Sequence, residues 1–150
     1  YKLSAATPDG LTIDENTALS VGAVFACVRL ISTSVASLPL QVFKTSGDVS
    51  ERNPAHPLYF LLNDQPNPHM TSFDWRVSMF SQTLLWGNGY TLIQTGLDGR
   101  PIALYPLRSD RMTVEIGDSV RYLYKQGFNT TAYSSNQIIH FKGLTLDGLM

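Results

Sequence analysis

The feature that most constrains this chain is the strongly apolar segment at residues 18–38. Large apolar side chains recur there every three or four residues, as on one helix face: Val21, Val24, Phe25, Val28, Ile31, Val35 and Leu38. We expect Asn16 or Thr17 to cap the helix start and Pro39 to end it. The opposite face carries Arg29 and hydroxyl groups, which argues against a membrane span. The pattern predicts an amphipathic helix whose apolar face lies in a core.

Three further elements are predicted in the first half of the chain. An alternating apolar pattern indicates a strand that ends at a Ser-Gly-Asp turn. A proline in the first turn indicates the start of a short helix, and a capping signal indicates the start of a long one. These elements are a strand at residues 40–44, a short helix at residues 56–63 and a long helix at residues 71–86.

The long helix has a clear start signal and two apolar stripes. Thr71 followed by Asp74 resembles a capping box. One stripe holds Phe73, Val77, Phe80 and Leu84, and the other holds Trp75, Met79 and Trp86. We therefore expect this helix to be covered on most of its circumference, in part by a neighbouring subunit or by further chain.

The second half predicts short strands separated by turn residues. The strands are expected at residues 90–95, 102–107, 112–116, 120–126 and 138–142, with turns at residues 98–101 and 117–118. The predicted fold class is therefore α+β, with two long helices and one short helix packed on an antiparallel β-meander.

Composition excludes several classes of function. The net charge is -1 and charged residues make up only 15% of the chain, so a basic nucleic-acid-binding module is not expected. The low charge instead suggests a surface covered by assembly. The single cysteine, Cys27, cannot form an internal disulfide, which suits a reducing compartment. The chain opens on Tyr1 and closes within a turn signal at residues 145–150, so we expect a piece of a longer protein.

No catalytic or metal-binding pattern is found. The histidines His56, His69 and His140 have no metal-ligand spacing. Cys27 lies in the apolar helix and is predicted to be a buried structural thiol. His140 alternates with its apolar neighbours, so we expect it to face away from them and to make an ordinary hydrogen bond. The Gly87–Gly89 segment is predicted to be a helix stop rather than a phosphate loop.

One loop concentrates charge of both signs. Arg108, Asp110 and Arg111 lie within four residues of each other. The loop is either a solvated surface loop or a set of residues that form salt bridges across a subunit boundary. The sequence leaves both interpretations open.

Five blocks in fixed order resemble the N-terminal part of the portal proteins of long-tailed phages. They are VGAVFACVRLISTSVASLPLQVF (residues 21–43), HPLYFLLNDQPNPHMTSFDW (56–75), LLWGNGYTLI (84–93), GRPIALYPLRSDRMTV (99–114) and IIHFKGLTLDGLM (138–150). The resemblance covers nearly the whole chain from Ala18 onward.

The resemblance implies a structural role. Portal proteins of this family form a ring, typically dodecameric, at one capsid vertex, and double-stranded DNA passes through its channel without sequence-specific binding. The implied partners are further copies of the chain, the terminase large subunit, a head-tail connector or adaptor, and a capsid or scaffold protein. The implied location is the virion, and the host cytoplasm during assembly, with no membrane association. Residues 1–17 would be an arm, and residues 18–150 part of the wing, before stem, clip and crown.

The family supplies no catalytic residue and no cofactor to this chain. The subunit-interface candidates are Arg29, Trp86, Arg108, Asp110 and Arg111. The alternative functions are another virion adaptor or scaffold-binding module, and a hydrolase fragment whose site is completed outside this chain.

Overall fold

The computed structural model describes residues 5–6, 12–13, 18–117 and 119–144. The expected helix caps Asn16 and Thr17, the turn residue Asp118, the closing turn at residues 145–150 and most of the expected N-terminal arm lie outside the described residues.

Within the described residues, three helices of seven residues or more precede most of the strands, as predicted for the α+β class. The helices are α1 (Gly22–Ala36), α2 (Pro57–Asn63) and α3 (Ser72–Trp86). The strands are β1 (Ala5–Ala6), β2 (Thr12–Ile13), β3 (Phe43–Ser46), β4 (Val49–Arg52), β5 (Asn88–Thr95), β6 (Pro101–Leu107), β7 (Met112–Ile116), β8 (Val120–Gln126), β9 (Asn129–Ser134) and β10 (Ile138–Lys142).

The second half is not one continuous meander, contrary to our prediction. It divides into a sheet of order β10-β5-β6 and a sheet of order β7-β8-β9, both antiparallel. A 3-10 turn at Ser109–Arg111 separates β6 from β7. After β9 the chain returns to pair β10 with β5, from Ile138 opposite Leu92 to Lys142 opposite Asn88. The resulting sheet is central because it lies between the helices and the second sheet.

The central sheet separates two apolar cores because successive side chains of a strand point to opposite faces. On its helix side, Leu61, Trp75, Met79 and Leu104 form a buried cluster, joined by Ile139 and Phe141. On its other side, Tyr90, Leu107, Tyr122 and Ile138 form a second buried cluster. Strand β10 therefore contributes alternate residues to both cores.

The predicted start and stop of α3 are confirmed. Thr71 Oγ1 accepts a hydrogen bond from the Asp74 amide, and the Asp74 carboxylate accepts one from the Thr71 amide, which completes the capping box. Gly87 ends the helix at φ 73°, a left-handed conformation that glycine adopts without a Cβ clash.

Helix α1 packs through a different face from the one we predicted. Its buried residues are Ser32 and Ala36, which lie against α3, and Ser81 Oγ of α3 donates to Ser32 Oγ over 3.0 Å. The short side chains at these two positions let the helix axes approach closely. The predicted apolar face is largely exposed, with Ile31 48% exposed. Cys27 is also exposed, so the prediction of a buried thiol is wrong.

The sequence did not indicate four of the described strands, the two-residue β1 and β2 and the longer β4 and β9. Strand β4 pairs with β3 in an exposed hairpin, and β9 pairs with β8. Both lack a regular apolar alternation, since they read VSER and NTTAYS. Their pairing comes from the neighbouring strand and from turns at Gly47 and Gly127, both with positive φ.

In the described part of the chain, no helix has the length and apolar character needed to cross a membrane.

Candidate subunit interface and the residues that support it

Two separate sequence blocks meet where β5 begins and β10 ends. The Gly143 amide donates to the Gly87 carbonyl over 2.8 Å, and His140 Nε2 lies 2.8 Å from Asn88 Oδ1. With the amide oriented this way, Oδ1 can only accept, so Nε2 carries the hydrogen. We call these four residues the β5–β10 junction. The junction directly connects the sequence block at residues 84–93 with the block that begins at residue 138.

The other ring nitrogen of His140 faces a buried tyrosine. Nδ1 lies 3.3 Å from the Tyr122 hydroxyl, which donates to it when Nε2 holds the proton. Tyr90 stacks on the imidazole with ring centroids 4.6 Å apart. The prediction that His140 faces away from Ile139 and Phe141 and makes ordinary hydrogen bonds is confirmed.

Burial keeps this cluster uncharged near neutral pH. It lowers the pKa of His140 to about 4, with a smaller contribution from the positive charge of Lys142. Burial also raises the pKa of Tyr90 to about 12, helped by Tyr122. A neutral imidazole with both nitrogens engaged has no lone pair free for a substrate. The cluster therefore fixes β10, β5 and β8 relative to one another.

A second pair of sequence blocks is locked together inside the first core. Asn67 is 3% exposed, and its Nδ2 donates to the Leu104 carbonyl over 2.7 Å. The Leu104 amide donates to the Pro66 carbonyl, also over 2.7 Å. The Pro-Asn-Pro turn between α2 and α3 is thus attached to β6. Both polar ends of the Asn67 side chain are hydrogen-bonded to backbone, since Oδ1 accepts from the His69 amide.

The charged loop between β6 and β7 forms its main ion pair within itself. Arg108 donates to both carboxylate oxygens of Asp110, at 3.0 and 2.8 Å. Hydrogen bonding to Arg108 holds the pKa of Asp110 below its usual value, and the same contact raises the pKa of Arg108. Arg111 is exposed at the end of the turn. A paired, partly exposed arrangement of this kind contributes little to stability.

Ser109 anchors this loop beside the last turns of α3. Its amide donates to Gln82 Oε1 over 2.7 Å, and its hydroxyl donates to the Asn88 carbonyl over 2.6 Å. Trp86, half-buried, ends the same helix. The structure therefore places Trp86 and the loop at one end of α3. Arg29 is exposed on α1, and within the described residues no hydrogen bond or ion pair connects it to the loop.

Sequence reasoning missed the supporting residues Gln82 and Ser109. Each is a polar side chain next to a turn or helix end, where side-chain to backbone hydrogen bonds are common. That signal was present, but it does not identify a distant partner.

An open groove of about 600 Å³ beside α2 is lined by residues such as Phe60, His69 and Asp74. Among the described residues, no group of three His, Cys, Asp or Glu side chains could hold a metal ion.

Comparison with known proteins gives consistent matches. A family model described as phage portal protein matches residues 22–150. The portal protein of Enterobacteria phage HK97 is 35% identical over 142 residues, which cover 93% of this chain and 34% of that protein.

Solved structures match over nearly the whole chain. A chain in the neck of an empty gene transfer agent particle, computed with C6 symmetry, has a TM-score of 0.74 at 27% identity and covers 95% of this chain and 40% of that chain. A chain in the neck of the native particle, computed with C12 symmetry, has a TM-score of 0.68 at 25% identity and covers 95% and 38%. This chain thus spans about a third to two-fifths of the length of these proteins.

Proposed function

This chain belongs to the phage portal protein family, and on that premise we propose that it is a structural subunit of a portal ring. Such a ring is the head-tail connector vertex through which double-stranded DNA enters the capsid and later leaves. The observation that carries the proposal is the family match over residues 22–150. The likeness to chains of ring-symmetric necks supports it.

The proposed mechanism is passive. The fold has two cores on either side of one sheet, and the β5–β10 junction ties its strands with paired hydrogen bonds. Such an arrangement suits a rigid ring wall. We propose that the chain is not an enzyme and that an ATPase partner, the terminase large subunit, supplies the force that moves DNA.

Assembly and location follow from the same premise. We propose a homo-oligomeric ring, dodecameric in the full-length protein, which the C12 symmetry of a similar neck supports. Residues 18–150 would belong to the wing and residues 1–17 to an arm. Further proposed partners are a head-tail connector and a capsid or scaffold protein. The ring would reside in the virion and assemble in the host cytoplasm.

We propose which residues of this chain meet a neighbouring subunit. Trp86 and the loop with Arg108, Asp110 and Arg111 lie together at one end of α3, which makes this end the stronger candidate. Because Asp110 already pairs with Arg108, we propose Arg111 as the residue that meets a neighbouring carboxylate. Arg29 would contribute from a separate surface on α1.

The test is negative-stain imaging and mass measurement of the full-length protein. Rings with a central channel wide enough for duplex DNA are expected. Arg111→Glu should weaken the rings, while Lys125→Glu, which reverses another exposed charge at the end of β8, should not. A compact monomer at every concentration would contradict the portal function, and equal effects of the two variants would contradict the role of Arg111.

A further inference from the structure

Helix α1 has an outward face that carries no charge. We define this outward face by Val24, Cys27, Ile31 and Ser34 of the helix and by Leu38, two residues beyond its end. The five positions are spaced alternately three and four residues apart, as on a helix seam that packs against another element. All five are exposed. The single charged side chain of α1, that of Arg29, lies outside this set.

The opposite side of α1 already has its partner. Ser32 and Ala36 are fully buried against α3, and Ser81 holds Ser32 by a hydrogen bond. The unfilled side also includes Leu30, which is 67% exposed. An exposed apolar surface that runs the length of a 15-residue helix differs from the scattered apolar residues of an ordinary surface.

The size of this surface fits a subunit contact. With its flanking residue Val21, it exposes on the order of 500 Å² of residue surface, against roughly 800 Å² per partner in a standard interface. The lack of charge is typical of the centre of such a contact and not of its rim.

We propose that the outward face of α1 docks against a second copy of this chain. The inference rests on the proposed function, because a ring requires every subunit to bury surface against its neighbours. In a closed ring the contact is heterologous, so this face meets a different surface of the next copy. The neck symmetries of similar chains favour a copy over an unrelated partner.

The competing occupant is further polypeptide of the same subunit, since relatives are much longer than this chain. Cys27 distinguishes the two, because it lies on the outward face and is exposed in this structure. We would treat full-length rings, and subunits separated from them under mild conditions, with a maleimide. Labelling of the peptide that contains Cys27 is then measured by mass spectrometry.

The proposal expects slow labelling of Cys27 in rings and at least tenfold faster labelling in folded, separated subunits. Equally slow labelling in both would assign the face to the subunit's own chain and overturn the proposal. Equally fast labelling in both would show that the face stays uncovered, which overturns it as well.

Two matched pairs of variants test the same contact without the thiol. Ile31→Glu and Leu30→Glu should prevent ring formation while the subunit stays folded by circular dichroism. The controls are Ile116→Glu and Leu97→Glu, which replace exposed apolar residues on the second sheet and at a hairpin tip. If Ile31→Glu and Leu30→Glu still form rings, the inference fails while the portal function stands. If the unmodified full-length protein forms no rings, both fail together.

Discussion

The indole Nε1 of Trp75 donates a hydrogen bond to Thr91 Oγ1 over 3.0 Å, with both residues almost fully buried. The Thr91 hydroxyl in turn donates to Met79 Sδ at 2.9 Å. This short chain of contacts joins α3 to β5 through the middle of the first core. It makes the position of the helix on the sheet specific, because apolar packing alone would tolerate small shifts.

Thr91→Val should destabilise the protein by about 1–3 kcal/mol, because it leaves the buried indole N–H of Trp75 without an acceptor. Urea unfolding measures the change. The control Thr131→Val, on the exposed strand β9, should stay within about 0.5 kcal/mol of the unmodified protein. The double variant Trp75→Phe/Thr91→Val should cost less than the sum of the single changes. Strictly additive costs would show that the hydrogen bond does not couple the two residues.

Ala36→Leu should destabilise the protein by about 1–3 kcal/mol, because a larger side chain at this fully buried position forces α1 away from α3. Ala26→Leu makes the same chemical change at an exposed position of α1 and should have little effect. Thermal unfolding of the two variants checks the prediction. The close approach of the helices is refuted if both variants melt at the same temperature as the parent.

Gly143→Ala should destabilise the protein by about 1–3 kcal/mol, because its Cβ would lie 2.7 Å from the Gly87 carbonyl oxygen. The obstructing atom belongs to backbone, so it cannot rotate away. Gly22→Ala, at the start of α1, meets nothing within 4 Å and should be neutral or stabilising by up to about 1 kcal/mol. Equilibrium unfolding of the pair compares them, and a stable Gly143→Ala protein would argue against the β5–β10 junction.

The stability of the protein should fall as the pH is lowered from about 6.5 to about 4, in part because of His140. In the unfolded chain the imidazole takes up a proton near 6.5, whereas burial lowers its pKa to about 4 in the folded protein. Protonation therefore lowers the free energy of unfolding progressively across this interval, and the loss stays constant at lower pH.

An NMR titration of the imidazole C–H signals measures the His140 pKa directly. The signal is assigned by its absence in His140→Gln, which should also show a weaker dependence of unfolding free energy on pH between 6.5 and 4. A His140 midpoint at the ordinary value of 6.5 would show that burial does not shift it.

The elements whose sequence signals are local were predicted with correct bounds. The bounds predicted for β7, β8 and β10 match those observed, and the α3 capping box lies where Thr71 and Asp74 indicated. Caps, turns and alternation depend on neighbours a few residues away. The interface candidates are different, because a side chain such as Arg111 carries no local mark of its partner.

By itself, the sequence determined the α+β class, the three helices, most strands and the family resemblance. Tertiary structure alone decided that α1 packs through Ser32 and Ala36 and that Cys27 is exposed. It also decided that β10 pairs with β5 and not with β9, the strand that precedes it in the sequence. The physical reason is that periodicity defines the faces of an element, whereas the choice of face depends on the shape and burial of surfaces distant in the chain. At α1 the buried residues are the small Ser32 and Ala36, which face α3, while the larger apolar side chains of the helix are exposed.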